Sequence, residues 1–482
     1  MNVLVLRRLF IASLALLALA TNPATFGQGG YNDDRVMIQG FMWESHQTGQ
    51  QTATGGAKYT VDWKDKWYDY VAAQAGELAD AKFDLIWLPP PSRGEGAGYH
   101  PHELYDFGNN YGSEQQHRNL MEALLEKGIE PIADMVINHR NGTDGWATFE
   151  DPQWPSTYIC SDDEFWFQST ATLNDADDAI LEAGQKGAPD FTGSNFPRWD
   201  GARDLDHSNS EFRAEVKAYL KKLRQFGYRG WRYDMVKGFA PGYIAEYDYD
   251  SQPTFAVGEY WDANPYTVSQ WIDGTKLYGQ PDPALKACSG FDFATYELLR
   301  TLINSGQYSH LPAIHFRDGN LDGLIAVNKD KAVTFLENHD TGVPQKQFDS
   351  FPRNEKLMQA YAYILTHPGL PCVYWKHYFD WGFGPQIKAL VKARKYAGVH
   401  SGSYIKSQVH GGDYVAIVGD NPSETSTLIV KIGPGFGFNP DPNVWHLETS
   451  GDGYAVWVRK SKKAETQAAV DGPKQGFPLP SE

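Results

Sequence analysis

The 482-residue sequence predicts an α/β fold: a (β/α)8 TIM barrel with a long inserted loop domain after its third strand and a C-terminal antiparallel β-sheet domain. Three observations carry that prediction. Between residues 36 and 375, eight short β-rich runs alternate with longer amphipathic stretches. Most of the runs are nearly continuous in apolar residues, as strands buried on both faces of a parallel sheet are. Beyond about residue 397 the pattern changes to short alternating runs separated by turn residues. An open, doubly wound sheet would give a similar string, and the count of eight favours the barrel.

At the start of the chain Arg7 and Arg8 precede the apolar run Leu9 to Ala20, with small residues at Ala18 and Ala20. This pattern reads as a signal peptide with its spacer over residues 1–28 and predicts a secreted or periplasmic protein, with no membrane attachment once the signal is removed. The run is short for a membrane span, and an uncleaved anchor is the alternative reading. The first part of the barrel is expected over 31–138, with strands Val36–Phe41, Phe83–Leu88 and Ile132–Ile137. Before the third of these, Ser113 and Gln116 form a capping box, Leu120, Met121, Leu124 and Leu125 make an apolar stripe, and Gly128 ends the helix.

No helix follows the third run promptly. Residues 139–207, rich in Asp, Gly, Trp and Pro, are expected as an inserted domain, because a loop of that length in a compact domain is usually functional or a unit of its own. The barrel resumes over 208–397. Ser208 and Glu211 start a helix with Phe212, Val216, Tyr219, Leu220 and Leu223 inward and Gly227 as the stop. Gly230–Asp234, Thr254–Glu259, Phe291–Phe293, Val333–Glu337 and Pro371–Trp375 supply the other strands, and a last helix covers Pro385–Tyr396. Runs at Tyr404–Val409, Tyr414–Val418, Thr427–Ile432, Val444–Leu447 and Tyr454–Val458 form the sheet domain over 398–460. The polar segment 461–482 is expected as a disordered tail.

Composition narrows the function. Lys and Arg total 43 against 60 Asp and Glu, a formal charge of −17. Phosphate neutralisation needs a basic surface, so nucleic acid is not an expected partner. Aromatic residues make up 14%, which suits hydroxyl-rich ligands with apolar faces but builds cores equally well. Cys160, Cys288 and Cys372 lie far apart with no CxxC, so neither a zinc site nor a dense disulfide framework is encoded. At most one bridge would form.

In such a barrel the active site lies at the carboxyl ends of the strands. Four ends carry polar clusters: Asp134 to His139, Arg232 to Gly238, Gly258 to Trp261 and Glu337 to Asp340. Arg232 and Asp234 are two apart and point to the same side of a strand, and a guanidinium beside a carboxylate favours the ionised form that a nucleophile needs. Glu259, at the next strand end, would be a second carboxyl in a negative, partly dry site, where its pKa rises and it serves as a general acid. Two carboxyls about 5–5.5 Å apart make a retaining glycosidase. Asp340 offers a third negative group, suited to an oxocarbenium-like transition state. Singly, these residues have structural readings: an ion pair for Arg232 and Asp234, a helix cap for Asp340, satisfied core histidines for His139 and His339. Their convergence at strand ends is what points to chemistry.

These four segments resemble the signature regions of the α-amylase family of glycoside hydrolases, glycoside hydrolase family 13. Gln39 to Ser45, Trp87 to Pro90, Leu104 to Asp106, Asp204 to His207 and Tyr361 to Thr366 are similar to its plant-type branch, so the likeness runs in order over about residues 35–460. It implies Asp234 as nucleophile, Glu259 as general acid/base and Asp340 as transition-state stabiliser. Arg232, His139 and His339 would hold hydroxyls and carboxylates at the cleavage subsite, Tyr99 would stack beneath the sugar, and Lys237 would contact the leaving-group side. A structural Ca2+ is implied between barrel and insertion, held by Asn138, Asp204, the Gly238 carbonyl and Asp190, hard oxygen ligands that suit the ion. The sequence departs from the plant pattern over 141–199, where Asp162 and Asp163 only partly match acids that hold further calcium, and at His100, where the plant branch is apolar.

The resemblance implies a monomeric, calcium-bound α-amylase acting on α-glucan polysaccharide, cleaving internal α-1,4 bonds of starch or glycogen with retention. Alternatives are an exo-acting maltooligosaccharide-forming enzyme and a catalytically inactive starch-binding protein. A metal-dependent lyase or aldolase on the same barrel would want a Lys at a strand end or clustered His ligands, and the sequence offers neither.

Overall fold

The eight apolar runs are the eight strands that close the barrel in the computed structural model, which describes residues 32–52, 56, 58–143, 148–160, 202–276, 287–317, 319, 321–342, 351–419 and 426–479. They are Met37–Gln39 (β1), Leu85–Leu88 (β2), Glu130–Met135 (β3), Gly230–Tyr233 (β4), Phe255–Gly258 (β5), Ser289–Phe291 (β6), Ala332–Thr334 (β7) and Leu370–Tyr374 (β8). Each pairs in parallel with its sequence neighbours, and Met37 of β1 pairs with both Leu85 of β2 and Cys372 of β8. That closure excludes the open sheet. All residues of β2, β3, β4, β5 and β8 are buried, which is why these strands read as apolar runs with no alternation.

The strands are shorter at their carboxyl ends than the apolar runs. Phe41, Ile137, Asp234, Glu259 and Glu337 lie past the last ladder residue. There the chain turns away from the sheet and presents side chains at the barrel mouth. Phe293, expected inside the sixth strand, instead begins a helix, because the Asp292 carboxylate accepts the Thr295 N–H at 2.8 Å and caps it.

Outside the barrel lie Trp67–Ala73 (α1), Ala75–Asp80 (α2), Glu114–Glu126 (α3), Ser210–Phe226 (α4), Pro241–Ser251 (α5), Pro265–Gly274 (α6), Phe293–Asn304 (α7), Glu355–Thr366 (α8) and Gly384–Ala397 (α9). The α3 capping box is present: Ser113 N–H donates to Gln116 Oε1 at 2.8 Å and Gln116 N–H to Ser113 Oγ at 3.3 Å. The start of α4 differs from the expectation. Asn209, and not Ser208, caps it, with Oδ1 accepting from Glu211 and Phe212 N–H, while the Ser208 hydroxyl is used by Asp206 at 2.5 Å. Gly227 stops α4 at φ +129°, a backbone conformation that side chains resist.

Of the long third loop, residues 144–147 and 161–201 lie outside the described residues. Its two ends are zipped together: His139 pairs with Asp204 and Arg140 with Arg203 in a short antiparallel ladder. The loop therefore leaves and returns at one point on the barrel mouth.

The C-terminal sheet comprises Tyr404–His410 (β9), Asp413–Gly419 (β10), Ser426–Ile432 (β11), Trp445–Gly451 (β12) and Tyr454–Arg459 (β13), antiparallel in the order 9-10-11-13-12. It packs on α8 and α9, with Tyr414 OH against His367 Nε2 at 2.6 Å.

The expected disordered tail is corrected by the structure. Lys460–Asp471 forms a helix (α10) packed on α9, and beyond it Lys474 Nζ binds Asp84 Oδ1 at 2.6 Å and Phe477 N–H donates to Leu125 O at 2.8 Å. The helix buries no residue fully, so composition alone reads as solvated. It is rich in good helix formers, and polar contacts hold it to the barrel.

Cys160, Cys288 and Cys372 are all buried, and none of them forms a disulfide among the described residues. Among the described residues no helix is long and apolar enough to cross a membrane.

Candidate active site

Arg232 organises the mouth of the barrel. It stands on β4 beside Asp134 of β3, to which it is paired in register, and its guanidinium is fully buried. Nη1 binds Asp134 Oδ1 at 2.7 Å and Asp234 Oδ1 at 2.6 Å, and Nη2 lies 2.6 Å from Glu259 Oε1. One cation thus gathers carboxylates from three successive strands. An arginine suits this place because its rigid fork serves several oxygens at once.

Local backbone sets the aim of each acid. Immediately after Asp234, Met235 adopts the left-handed conformation at φ +46°, ψ +45°, which turns its N–H toward Glu259 Oε2 at 3.3 Å. A side-chain-bearing residue in that conformation stores about 1–3 kcal/mol and marks a functional turn. Glu259 follows Gly258, where a Cβ would lie 2.1 Å from the Trp271 ring, so only glycine lets α6 pack here. Asp340 is held by Asn338, whose Oδ1 accepts the Asp340 N–H at 2.9 Å. His339 Nε2 lies 3.3 Å from Asp340 Oδ2, and its Nδ1 meets Gln39 Nε2 of β1 at 2.9 Å.

Around the acids lies an aromatic floor. The rings of Tyr99 and His339 are parallel within 7° at 5.2 Å, and Trp43 is parallel to Tyr99 within 2° at 6.4 Å. Flat apolar faces with polar edges are what a pyranose ring stacks upon. Tyr99 OH donates to Asp134 Oδ2 at 2.7 Å, and His139 Nε2 contacts Tyr99 O at 2.8 Å.

Asp134, Asp234 and Glu259 share one guanidinium, and burial in that negative site pushes protons onto Glu259, Asp340 and Asp134. Burial raises Glu259 well above the ordinary carboxylate range, with Asp234 and Asp340 adding to the rise against Arg232. Asp340 is pushed up to about 7 and Asp134 to about 6, again chiefly by burial. His339 and His139 are depressed by burial and stay neutral. Asp340 is the most open of the three proposed reacting acids: its side chain is 18% exposed, against 7% for Asp234 and 8% for Glu259.

The structure therefore brings Asp234, Glu259, Asp340, Arg232, His139, His339 and Tyr99 to one place. Lys237 is set to the side, exposed, with Nζ 3.4 Å from Asp262 Oδ2 and over the Tyr260 ring. Sequence reading assigns no role to Asp134, Trp87, Trp43 or Gln39. Asp134 carried a signal: a carboxylate inside an apolar strand requires a buried partner. It has three, Arg232, Tyr99 and the Trp87 indole N–H at 3.0 Å. The roles of Trp43 and Gln39 depend on packing that spacing does not show.

Asn138, at the base of the insertion, is fully buried, and its Oδ1 has no hydrogen-bond partner among the described residues. A Cβ on Gly238 would stand 1.7 Å from that oxygen, so the amide faces the Gly238 backbone. Asp204 is brought to the same place by the ladder opposite His139. Asp190, Asp162 and Asp163 lie outside the described residues. Among the described residues no group of three His, Cys, Asp or Glu could hold a metal, so a cation here would need the Asn138 amide and backbone oxygens beside Asp204.

Residues 76–265 match the α-amylase catalytic domain family and residues 396–458 the α-amylase C-terminal β-sheet domain family. The chain is 31% identical over 441 residues to "Probable alpha-amylase 2" of Arabidopsis thaliana, covering 88% of this chain and 93% of that protein. It is 30% identical over 435 residues to the "Glucan 1,4-alpha-maltotetraohydrolase" of Stutzerimonas stutzeri, covering 85% and 70% respectively. Its fold is like that of the cyclic α-maltosyl-(1→6)-maltose hydrolase of Arthrobacter globiformis, with a TM-score of 0.61 at 13% identity over 89% of this chain and 99% of that one. The chain belongs to the α-amylase family and is a glycoside hydrolase.

Proposed function

We propose that this protein is a secreted α-amylase that hydrolyses internal α-1,4-glucosidic bonds of starch-type glucans by a retaining double displacement. One observation carries the reading: the Arg232 guanidinium holds Asp234 and Glu259 together at 2.6 Å each. Two carboxyls sharing one fork favour the close, roughly 5–5.5 Å separation of a retaining pair over the wider one that admits a water. Asp234, beside the cation, attacks the anomeric carbon. Glu259, protonated through burial, gives its proton to the leaving oxygen and then takes one from water. Asp340 faces the ring where positive charge develops, and that charge favours its ionised form. Tyr99 supplies a stacking face, and His139 and His339, kept neutral, offer hydrogen bonds to hydroxyls.

The proton sign fixes a pH dependence. A raised Glu259 stays protonated across the mildly acidic range, and activity is lost as pH climbs through its value. The alkaline limb of kcat/KM on a chromogenic maltoheptaoside is expected well above pH 5. A limb already descending between about pH 4 and 5, the range of an unperturbed Glu, would contradict this assignment.

The buried Asn138 Oδ1, without a hydrogen-bond partner among the described residues, supports a structural calcium ion held by Asn138, Asp204 and the Gly238 carbonyl, with Asp190 as a further proposed ligand. Such an ion supplies positive charge that ties the insertion to the barrel. Chelation is expected to lower the melting temperature by roughly 4 °C, restored by added calcium and blunted in Asn138→Ala. An unchanged melting temperature would remove these residues from the metal site.

The likeness to a maltotetraohydrolase favours a second reading, exo attack releasing one short oligomer. Digestion of soluble starch separates the two. Rapid loss of iodine colour with mixed oligomers supports endo attack, and one dominant oligomer overturns it.

A further inference from the structure

Glu337 follows β7, three residues before Asp340, and has no part in bond making or proton transfer. Its side chain and that of His377 are fully buried. The Glu337 carboxylate has donors from two distant parts of the chain: Phe351 N–H reaches Oε1 at 2.6 Å, and His377 Nε2 reaches Oε2 at 3.0 Å. His377 lies in the wide helical turn Lys376–Asp380 that follows β8, and its Nδ1 meets Tyr361 OH of α8 at 2.7 Å. That hydroxyl accepts the Tyr374 N–H at 3.3 Å, so its own proton serves His377 Nδ1 and leaves Nε2 as the N–H donor to Glu337. The donors of this chain all run toward one carboxylate. Between Glu337 and Gly342 the backbone closes on itself: Asn338 Oδ1 accepts the Asp340 and Thr341 N–H groups at 2.9 Å each, and Asn338 O accepts the Gly342 N–H at 3.0 Å. The far end of this turn folds back on the acid, since a Cβ on Gly342 would stand 3.1 Å from Glu337 Oε2. One buried carboxylate therefore meets both ends of the turn that carries His339 and Asp340.

We propose that Glu337 is a positioning residue: pinned by His377 and the Phe351 N–H, its carboxylate clamps the Asn338–Gly342 turn and so aims the Asp340 carboxylate at the sugar ring in the transition state. This rests on the role proposed for Asp340. Hydrogen bonds to an ionised group are the strong ones, and a buried acceptor or donor left without its partner is destabilising, so the clamp is rigid. The Asp340 side chain is 18% exposed, and its aim is set by the turn beneath it more than by packing around it. His339 has an anchor of its own in Gln39, at 2.9 Å, so a loosened clamp acts on Asp340 more than on the histidine. Asp340 meets charge that develops only in the transition state, and its misalignment therefore falls on kcat and not on substrate binding.

The test is the kinetics of maltoheptaose cleavage by wild type, Glu337→Gln, His377→Leu and His377→Gln. Melting temperature is measured alongside, with the Kd of a maltose-linked deoxynojirimycin, whose protonated ring imitates the developing charge. Glu337→Gln keeps the shape but turns one acceptor oxygen into a donor, so one of the two bonds must break. It is expected to lower kcat about 10–100-fold, the effect of a reacting group displaced by up to roughly 1 Å, with KM changed less than about twofold. The inhibitor should weaken by the same factor as kcat/KM. His377→Leu, which removes the donor, should behave like Glu337→Gln and stands in for it if that variant does not fold. His377→Gln, whose amide N–H can still reach Glu337, should recover most of the rate. A folded Glu337→Gln or His377→Leu enzyme with the kcat and inhibitor affinity of wild type, whatever its melting temperature, would overturn the proposal, as would a loss confined to KM. An inactive wild type would instead overturn the α-glucan reading itself.

Discussion

Replacing Asp234 by Asn is expected to abolish hydrolysis while leaving the protein folded and able to bind starch. The substitution keeps the size and one oxygen of the side chain but removes the nucleophile. Losing a group on which a covalent route depends costs on the order of 10^4-fold or more in kcat. Binding should persist, because the aromatic floor of Trp43, Tyr99 and His339 does not involve Asp234. The measurement is kcat on soluble starch beside starch-affinity electrophoresis of the same preparation. Comparable, low activity in wild type and variant would favour the inactive starch-binding protein over the enzyme.

The second large effect is expected from Arg232→Ala. Removing this fully buried guanidinium leaves Asp134, Asp234 and Glu259 without their common counter-ion. Deleting one partner of a buried charge network costs about 3–5 kcal/mol, or roughly 3–5 °C in melting temperature for a chain of this size. The acid limb of the pH profile should also move to higher pH, because carboxylates deprived of a neighbouring cation hold their protons more readily. Arg232→Lys keeps the charge without the fork and should fall between. A folded Arg232→Ala protein with unchanged stability and an unmoved acid limb would show that the guanidinium does not organise the acids.

Much of this was legible in the sequence, for identifiable reasons. Strands such as Leu85–Leu88 and Leu370–Tyr374 are buried on both faces, so their apolar runs announce them without structural context. The acids were legible because a carboxylate just past an apolar strand end falls at the barrel mouth whatever the loops do. Asp134 was less so, because it sits inside its strand and its partners are 98 residues away at Arg232 and 35 away at Tyr99. The α10 helix is hidden for the opposite reason: it has no apolar stripe, and it is held by contacts such as Tyr396 OH to Asp471 that no local pattern encodes. Ser208 belongs to the right residue class for a cap, but Asp206 engages its hydroxyl and the cap passes to Asn209.

The claim on which all else depends is that Asp234 bonds covalently to the sugar while Glu259 moves the proton. It is tested most directly by trapping the glycosyl-enzyme with a fluorinated maltosyl fluoride, using Glu259→Gln to slow its breakdown, and mapping the labelled peptide by mass spectrometry. The added mass is expected on Asp234. Label on Asp340 or on the side chain at position 259, or an active enzyme that never accumulates label, would contradict it.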